Sequence, residues 1–309
     1  MQSELQASHQ WFSKFIEAIR AIGFTQSKAD YSLFTRKNDK SFTALLIYVD
    51  DIMITGNNLP AINALKQFLN TRFKIKDLGD LKYFLGIEVS RSRRGEIFLL
   101  TITRPDMYSV HILSRFMHEP CKPHLDAAMR VLRYPKSTPG QGLFFPTGNE
   151  MNLTEYCDSD WAGCTRRSTS GYCVFLGNSL ISWRTKRQKT VSLSLAEAEY
   201  RAMTGACCEI TWLSYLLQDL QLPDPGPATL HCDNQAALHI SANSVFHDRT
   251  RHIEMYCHFI RDKIMDGTMI TRYISSQQEV AEVFTKALGK EDFSAMVCKL
   301  GVHNIHSPT

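Results

Sequence analysis

Nothing in the 309-residue chain marks it for a membrane or for export: it has no apolar run long enough to span a bilayer and no signal-peptide pattern. The expectation is a soluble intracellular protein, cytoplasmic or nuclear. Nine cysteines occur without paired spacing, which points to reduced thiols rather than a disulfide framework. Cys121-Lys122-Pro123-His124 has the look of half a metal site, but no second half follows, so no metal is assigned to it. No internal repeat is visible. Charge of one sign is also scarce: a net charge of +4 permits nucleic-acid binding without demanding it.

What is present suits a folded core, with 44% apolar and 21% charged residues. Trp11, Phe12, Phe15, Ile16, Ile19 and Ile22 recur at helical spacing, and Gly23 stops the run. Strands are expected at 31–35, 42–49, 52–55 and 83–89, with Asp50-Asp51 at a hairpin tip. Residues 105–135 read as two helices, the second ended by Pro135, and the Pro/Gly/Ser/Thr-rich stretch 136–149 is the best linker candidate. Beyond it, strands are expected near 151–158, 171–176, 179–184, 228–233 and 269–275. Helices are expected over 195–220, from Gln235, over 250–265 and over 279–288.

The acids fall at telling places on that plan. Asp158 lies on the first strand after the linker, Glu199 in the first turns of the long helix, Asp233 at the end of a central strand, and Glu282 at the start of the closing helix. Glu197 has a local explanation, since Ser194 and Glu197 have capping-box spacing, but Glu199 has none. Carboxylates brought together repel unless cations neutralise them. An all-oxygen ligand set favours Mg²⁺ or Mn²⁺, and two such ions suit phosphodiester cleavage. Cys157 and Cys232 each precede a key Asp, and strand alternation assigns their thiols to the core. Arg184, Lys186, Arg187 and Lys189 sit beside a tryptophan and a strand, the best candidates for backbone-phosphate contact. Of His247, His252 and His258, His252 is the best placed for a substrate contact.

Tyr48-Val49-Asp50-Asp51 with Phe84-Leu85-Gly86-Ile87-Glu88 resembles the palm of copia-type retrotransposon reverse transcriptases. The block from Asp158-Ser159-Asp160-Trp161-Ala162-Gly163 to Phe284-Thr285-Lys286-Ala287-Leu288 is similar to the ribonuclease H domain of the same Pol polyprotein. Thr101-Ile102-Thr103-Arg104-Pro105-Asp106 and Pro139-Gly140-Gln141-Gly142-Leu143 are similar to the segment that joins them. The resemblance implies a truncated reverse transcriptase palm over 1–100, connection helices and linker over 101–149, and a ribonuclease H-like domain over 150–309. The fold class implied is α/β: a ribonuclease H-like mixed sheet with flanking helices, preceded by an incomplete α+β palm remnant.

The resemblance also implies that Asp158, Glu199 and Asp233 match the first three metal ligands, with Glu282 where the family has Asp. One extra methylene displaces that carboxylate by about 1 Å, a shift that can cost roughly a hundredfold in rate. Tyr256 stands where the family has an acidic residue. The fingers and the first palm motif are absent, and near Ile97–Thr101 the palm strand abuts the next segment directly, which implies an internal deletion. Asp50 and Asp51 are then a polymerase remnant, with reverse transcriptase activity lost and an apolar sheet edge exposed in residues 1–100. The expected function is hydrolysis of the RNA strand of an RNA–DNA hybrid with two Mg²⁺ or Mn²⁺ ions. The alternative is a catalytically silent remnant that at most binds nucleic acid.

Overall fold

A computed structural model describes residues 2–49, 51–92, 95–101, 104–114, 116–161, 167–242 and 254–305. The chain divides into two compact units, one of residues 1–81 with 212–224 and the other of 82–211 with 225–309.

The first unit opens with α1 (Gln2–Ala21), whose apolar stripe buries Phe15 and Ile19 and which ends at Gly23, φ 89°. Four antiparallel strands follow, β1 (Thr25–Gln26), β2 (Leu33–Asn38), β3 (Ser41–Tyr48) and β4 (Asp51–Gly56), in that spatial order. Tyr48 pairs with Asp51, so β3 and β4 turn on two residues. Val49, the first of them, has φ 52°, the left-handed region that such hairpin turns require and that β-branched residues resist. Helix α2 (Leu59–Phe73) starts on an Asn58 cap with Pro60 in its first turn. Leu65 and Leu69 on α2 meet Phe15, Ile19, Phe34 and Leu45 in one core, so the expected helices and hairpins have partners to bury their apolar faces.

The second unit contains two sheets. One is antiparallel, in the order β14 (Val302–Asn304), β8 (Gln141–Phe145), β7 (Ile97–Thr101), β6 (Ile87–Arg91), β5 (Tyr83–Phe84). Strand β8 lies inside the stretch read as a linker. Its Pro and Gly residues bound a short buried strand, and Gly142 is required because a Cβ there would meet the Leu99 carbonyl oxygen at 2.4 Å. Ahead of β8 come α3 (Ser109–Ser114) and α4 (Lys122–Ser137). Pro135 lies within the last turn of α4 and does not end it at once.

The other sheet is mixed and follows the expected pattern for residues 150–309. Its order is β11 (Ser179–Arg187), β10 (Thr169–Leu176), β9 (Leu153–Asp160), β12 (Ala228–Cys232), β13 (Met269–Tyr273). The first three strands form an antiparallel meander, whereas β12 runs parallel to both β9 and β13. The helices α5 (Leu195–Asp219), whose residues from 212 on group with the first unit, α6 (Gln235–Ala242) and α7 (Glu254–Met265) follow the meander, with α8 (Lys290–Lys299) preceding β14. On α5 the stripe Met203, Cys207, Ile210, Leu213 and Leu217 is buried as its spacing requires.

The helix expected over 279–288 is instead a short 3₁₀ turn, Val280–Phe284. Its buried residues are Val280, Ala281, Val283 and Phe284, a period of three that suits 3₁₀ geometry. This turn lies so close to β10 that a Cβ on Gly171 would come within 2.8 Å of both Phe284 Cβ and Thr285 Cγ2. Tertiary contact therefore decides the local conformation here. Among the described residues no helix is long and apolar enough to cross a membrane.

Candidate metal centre at the ends of two parallel strands

Because β9 and β12 are parallel, both present their carboxyl ends at one edge of the sheet. Asp158, near the end of β9, and Asp233, just past β12, come together there. Glu199 reaches them from the first turns of α5, and Glu282 from the Val280–Phe284 turn. The donor atoms form two overlapping triads, Asp158–Asp233–Glu282 and Glu199–Cys232–Asp233, each with its atoms within 4.8 Å of one another. Asp233 belongs to both. The four acids read from the sequence thus converge.

Each carboxylate is held differently. Asp158 is only 1% exposed; its Oδ2 accepts a hydrogen bond from Thr285 Oγ1 and its Oδ1 lies 3.2 Å from Lys286 Nζ. Burial raises its pKa, Lys286 and Thr285 pull it back, and the charge of Asp233 raises it again. Glu199, 2% exposed, accepts hydrogen bonds at Oε1 from the Ser159 backbone N–H (3.2 Å) and Oγ (3.1 Å). Its Oε2 is buried with no hydrogen-bond partner. Burial first, then the charge of Asp158, pushes the Glu199 pKa up to about 10. A buried carboxylate oxygen left unsatisfied is costly, and a cation is the partner that such an atom fits. Asp233 Oδ2 accepts from Ser276 Oγ at 2.7 Å, and Glu282 Oε1 lies 2.7 Å from Lys286 Nζ.

Several participants are not evident from the sequence pattern. Lys286 bridges Asp158 and Glu282; burial alone would lower its pKa, but the two carboxylates raise it. Phe284-Thr285-Lys286 carries part of the resemblance in sequence, yet its chemistry emerges only when the 280–284 turn is laid on β10. Glu279 caps that turn by accepting from the Ala281 N–H at 3.0 Å, and burial drives its pKa well up. Cys157 and Cys232 are both fully buried, as alternation implies, but Cys232 also brings its sulfur into the second triad. Glu197 meets half of the capping-box reading: its N–H donates to Ser194 Oγ at 3.2 Å, but its carboxylate accepts from the Leu193 N–H rather than that of Ser194, and pairs with Arg201.

The basic cluster divides between faces. Arg184 and Lys186 are exposed on the same face of edge strand β11. Half-buried Arg187 points to the opposite face, and exposed Lys189 lies beyond the strand end. Asp51 is exposed at the start of β4, while Asp50, His247 and His252 lie outside the described residues.

A family described as reverse transcriptase (RNA-dependent DNA polymerase) matches residues 3–116. The retrovirus-related Pol polyprotein from transposon RE1 of Arabidopsis thaliana is 35% identical over 97% of this chain and 24% of its own length. That from transposon TNT 1-94 of Nicotiana tabacum is 29% identical over 97% of this chain and 27% of its own. The chain thus spans about a quarter of the length of these relatives. The RE1 alignment runs over 356 positions against 309 residues here, so at least 47 positions of the relative have no counterpart, in keeping with an internal deletion. An N-terminal ribonuclease H domain from Mycobacterium tuberculosis covers 48% of this chain and 98% of its own, at 10% identity and a TM-score of 0.35. That superposition is too loose to carry an argument; the sheet itself is an antiparallel meander continued by two parallel strands, with helices at the flanks. The chain belongs to the copia-type family of retrotransposon Pol polyproteins.

Proposed function

We propose that the second unit hydrolyses the RNA strand of RNA–DNA hybrids with divalent-metal assistance. The observation that carries this reading is the convergence of Asp158, Glu199, Asp233 and Glu282 around a buried, unpartnered Glu199 Oε2. Asp158, Glu199 and Asp233, with Glu282, would hold a pair of Mg²⁺ or Mn²⁺ ions. When bound, the ions supply an activated water and stabilise the leaving oxygen of a phosphodiester.

The chain's own residues set the conditions for that chemistry. Ser159 fixes the Glu199 carboxylate through Oε1 and leaves Oε2 without a hydrogen-bond partner. Ser276 orients Asp233. Lys286 neutralises Asp158 and Glu282 and must yield when a stronger cation enters. Arg184, Lys186 and Lys189 offer exposed charge for the hybrid backbone, where 2′-hydroxyls distinguish the RNA strand. His252 is a further candidate contact.

The test is cleavage of a hybrid in Mg²⁺ by the full chain and by Asp158→Asn. Cleavage by the first alone is expected, and equal cleavage by both removes the site from the reaction. Glu282→Asp is expected to raise the rate, because it restores the shorter carboxylate that the family carries.

A second reading, a silent remnant that at most binds nucleic acid, draws its support from Lys286, which already neutralises two of the four acids. It predicts no cleavage and no rise in melting temperature with Mg²⁺. Neither reading includes primer extension; Asp51 stands exposed at the start of β4.

A further inference from the structure

The two triads that share Asp233 are chemically unlike. Asp158–Asp233–Glu282 offers oxygen only, the preference of hard cations such as Mg²⁺. Glu199–Cys232–Asp233 adds a sulfur. We infer that this second triad is a site for a thiophilic divalent cation of the zinc and cadmium class, and that such an ion displaces magnesium by taking Asp233.

Three independent features favour it. Glu199 has one oxygen fixed by Ser159 and the other buried without a partner, so it can take a cation without losing a hydrogen bond. Cys232 Sγ accepts a hydrogen bond from the Asn234 backbone N–H at 3.4 Å, which fixes the position of the sulfur beside Asp233. The sulfur also stands three residues before α6, whose first turn is capped by Asn234 Oδ1 accepting from Ala237 N–H at 2.9 Å. The positive end of that helix favours the negative charge the triad must carry. A thiolate and two carboxylates leave one tetrahedral position open, the coordination that zinc accepts readily. As the sulfur–metal bond forms, the Cys232 S–H proton leaves to solvent. Cys157 backs the site without joining the triad: its thiol lies against that of Cys232 and donates to the His231 carbonyl at 3.4 Å.

The inference goes beyond the nuclease reading and is tested without nucleic acid. Cadmium is titrated into the full chain under a phosphine reductant, and the ultraviolet sulfur-to-cadmium charge-transfer band is recorded. The background protein has Cys121, Cys164, Cys208 and Cys298 replaced by alanine, to remove exposed or undescribed thiols. One equivalent of band is expected on this background and is expected to vanish in Cys232→Ala. Glu199→Gln should weaken cadmium binding by at least about tenfold, since even indirect ligand partners are worth that much. Zinc should compete with cadmium at near-stoichiometric levels, and Mg²⁺ only in large excess. A band that survives Cys232→Ala, or an unchanged affinity in Glu199→Gln, overturns the inference. Cys232→Ser, which keeps volume and polarity, serves the same purpose where the alanine variant is unstable. Hybrid cleavage that fails while the band behaves as expected refutes the nuclease reading alone.

Discussion

Lys286 is the internal counter-ion of the acid cluster, 3.2 Å from Asp158 and 2.7 Å from Glu282. Its side chain is 38% exposed, so solvent screens it and its removal should cost less than breaking a fully buried pair. A loss of about 1–3 kcal/mol is expected for Lys286→Met. Mg²⁺ should then raise the melting temperature of the variant by more than it raises that of the unaltered protein, because the ion meets no competitor. An unchanged melting temperature in the variant would show that the bridge contributes nothing. Glu199 sets a pH dependence of definite sign. Its pKa is raised in the fold, from 4.5 to about 10, so its contribution to stability is complete below 4.5 and is lost as pH rises through that window. While the folded chain keeps a proton that the unfolded chain has released, the slope is about 1.4 kcal/mol per pH unit. Glu155 and Glu279, both buried and shifted the same way, add to it. Urea midpoints of the metal-free protein should therefore fall between roughly pH 5 and 8, and Glu199→Gln should flatten part of that fall. An identical slope in the variant would mean that Glu199 is ionised in the fold.

The placement of these groups depends on how elements pack, and Gly171 is the close approach nearest the acids. It pairs with Asp158 across β9 and β10 and faces the Val280–Phe284 turn. Gly171→Ala must push Phe284 and Thr285 away from the sheet, with an expected loss of about 1–3 kcal/mol for overpacking. Because Thr285 and Lys286 follow that turn, the variant should also lose the Lys286 contribution, so Gly171→Ala and Lys286→Met should be less than additive in a double-mutant cycle. Full additivity would uncouple the turn from the acids. The same turn marks the limit of what residue patterns reveal. Strand ends and helix starts are visible in alternation and capping, so Asp158, Glu199 and Asp233 could be placed from the sequence. Residues 280–284 look helical because their apolar spacing fits either geometry, and only Gly171 on another element decides between them. Strand β8 was hidden for a similar reason: its partners, β7 and β14, are far away in sequence, and Pro and Gly obscure a short strand. Alternation assigned Cys232 to the core correctly, but says nothing of what lies beside the last residue of a strand.

Across the whole chain, motif order was readable because each family block is contiguous, whereas the compact units are not: the stretch 212–224 groups with residues 1–81. All four acids of the cluster lie in the second unit, and Asp51 lies in the first. A ligand that binds only the folded form stabilises the unit that holds its site, by about 2.7 kcal/mol at a hundredfold excess over its dissociation constant. Calorimetry in rising Mg²⁺ should therefore move the melting of the second unit and leave that of the first in place. Asp158→Asn identifies the responsive transition, since it should abolish the shift without altering the other. Asp51→Asn, which changes an exposed carboxylate on the hairpin, should leave the Mg²⁺ response intact. If Asp51→Asn removed the response and Asp158→Asn did not, the working cation site would belong to the polymerase-like unit, and the cluster at the ends of β9 and β12 would be an acid-rich edge held by Lys286 alone.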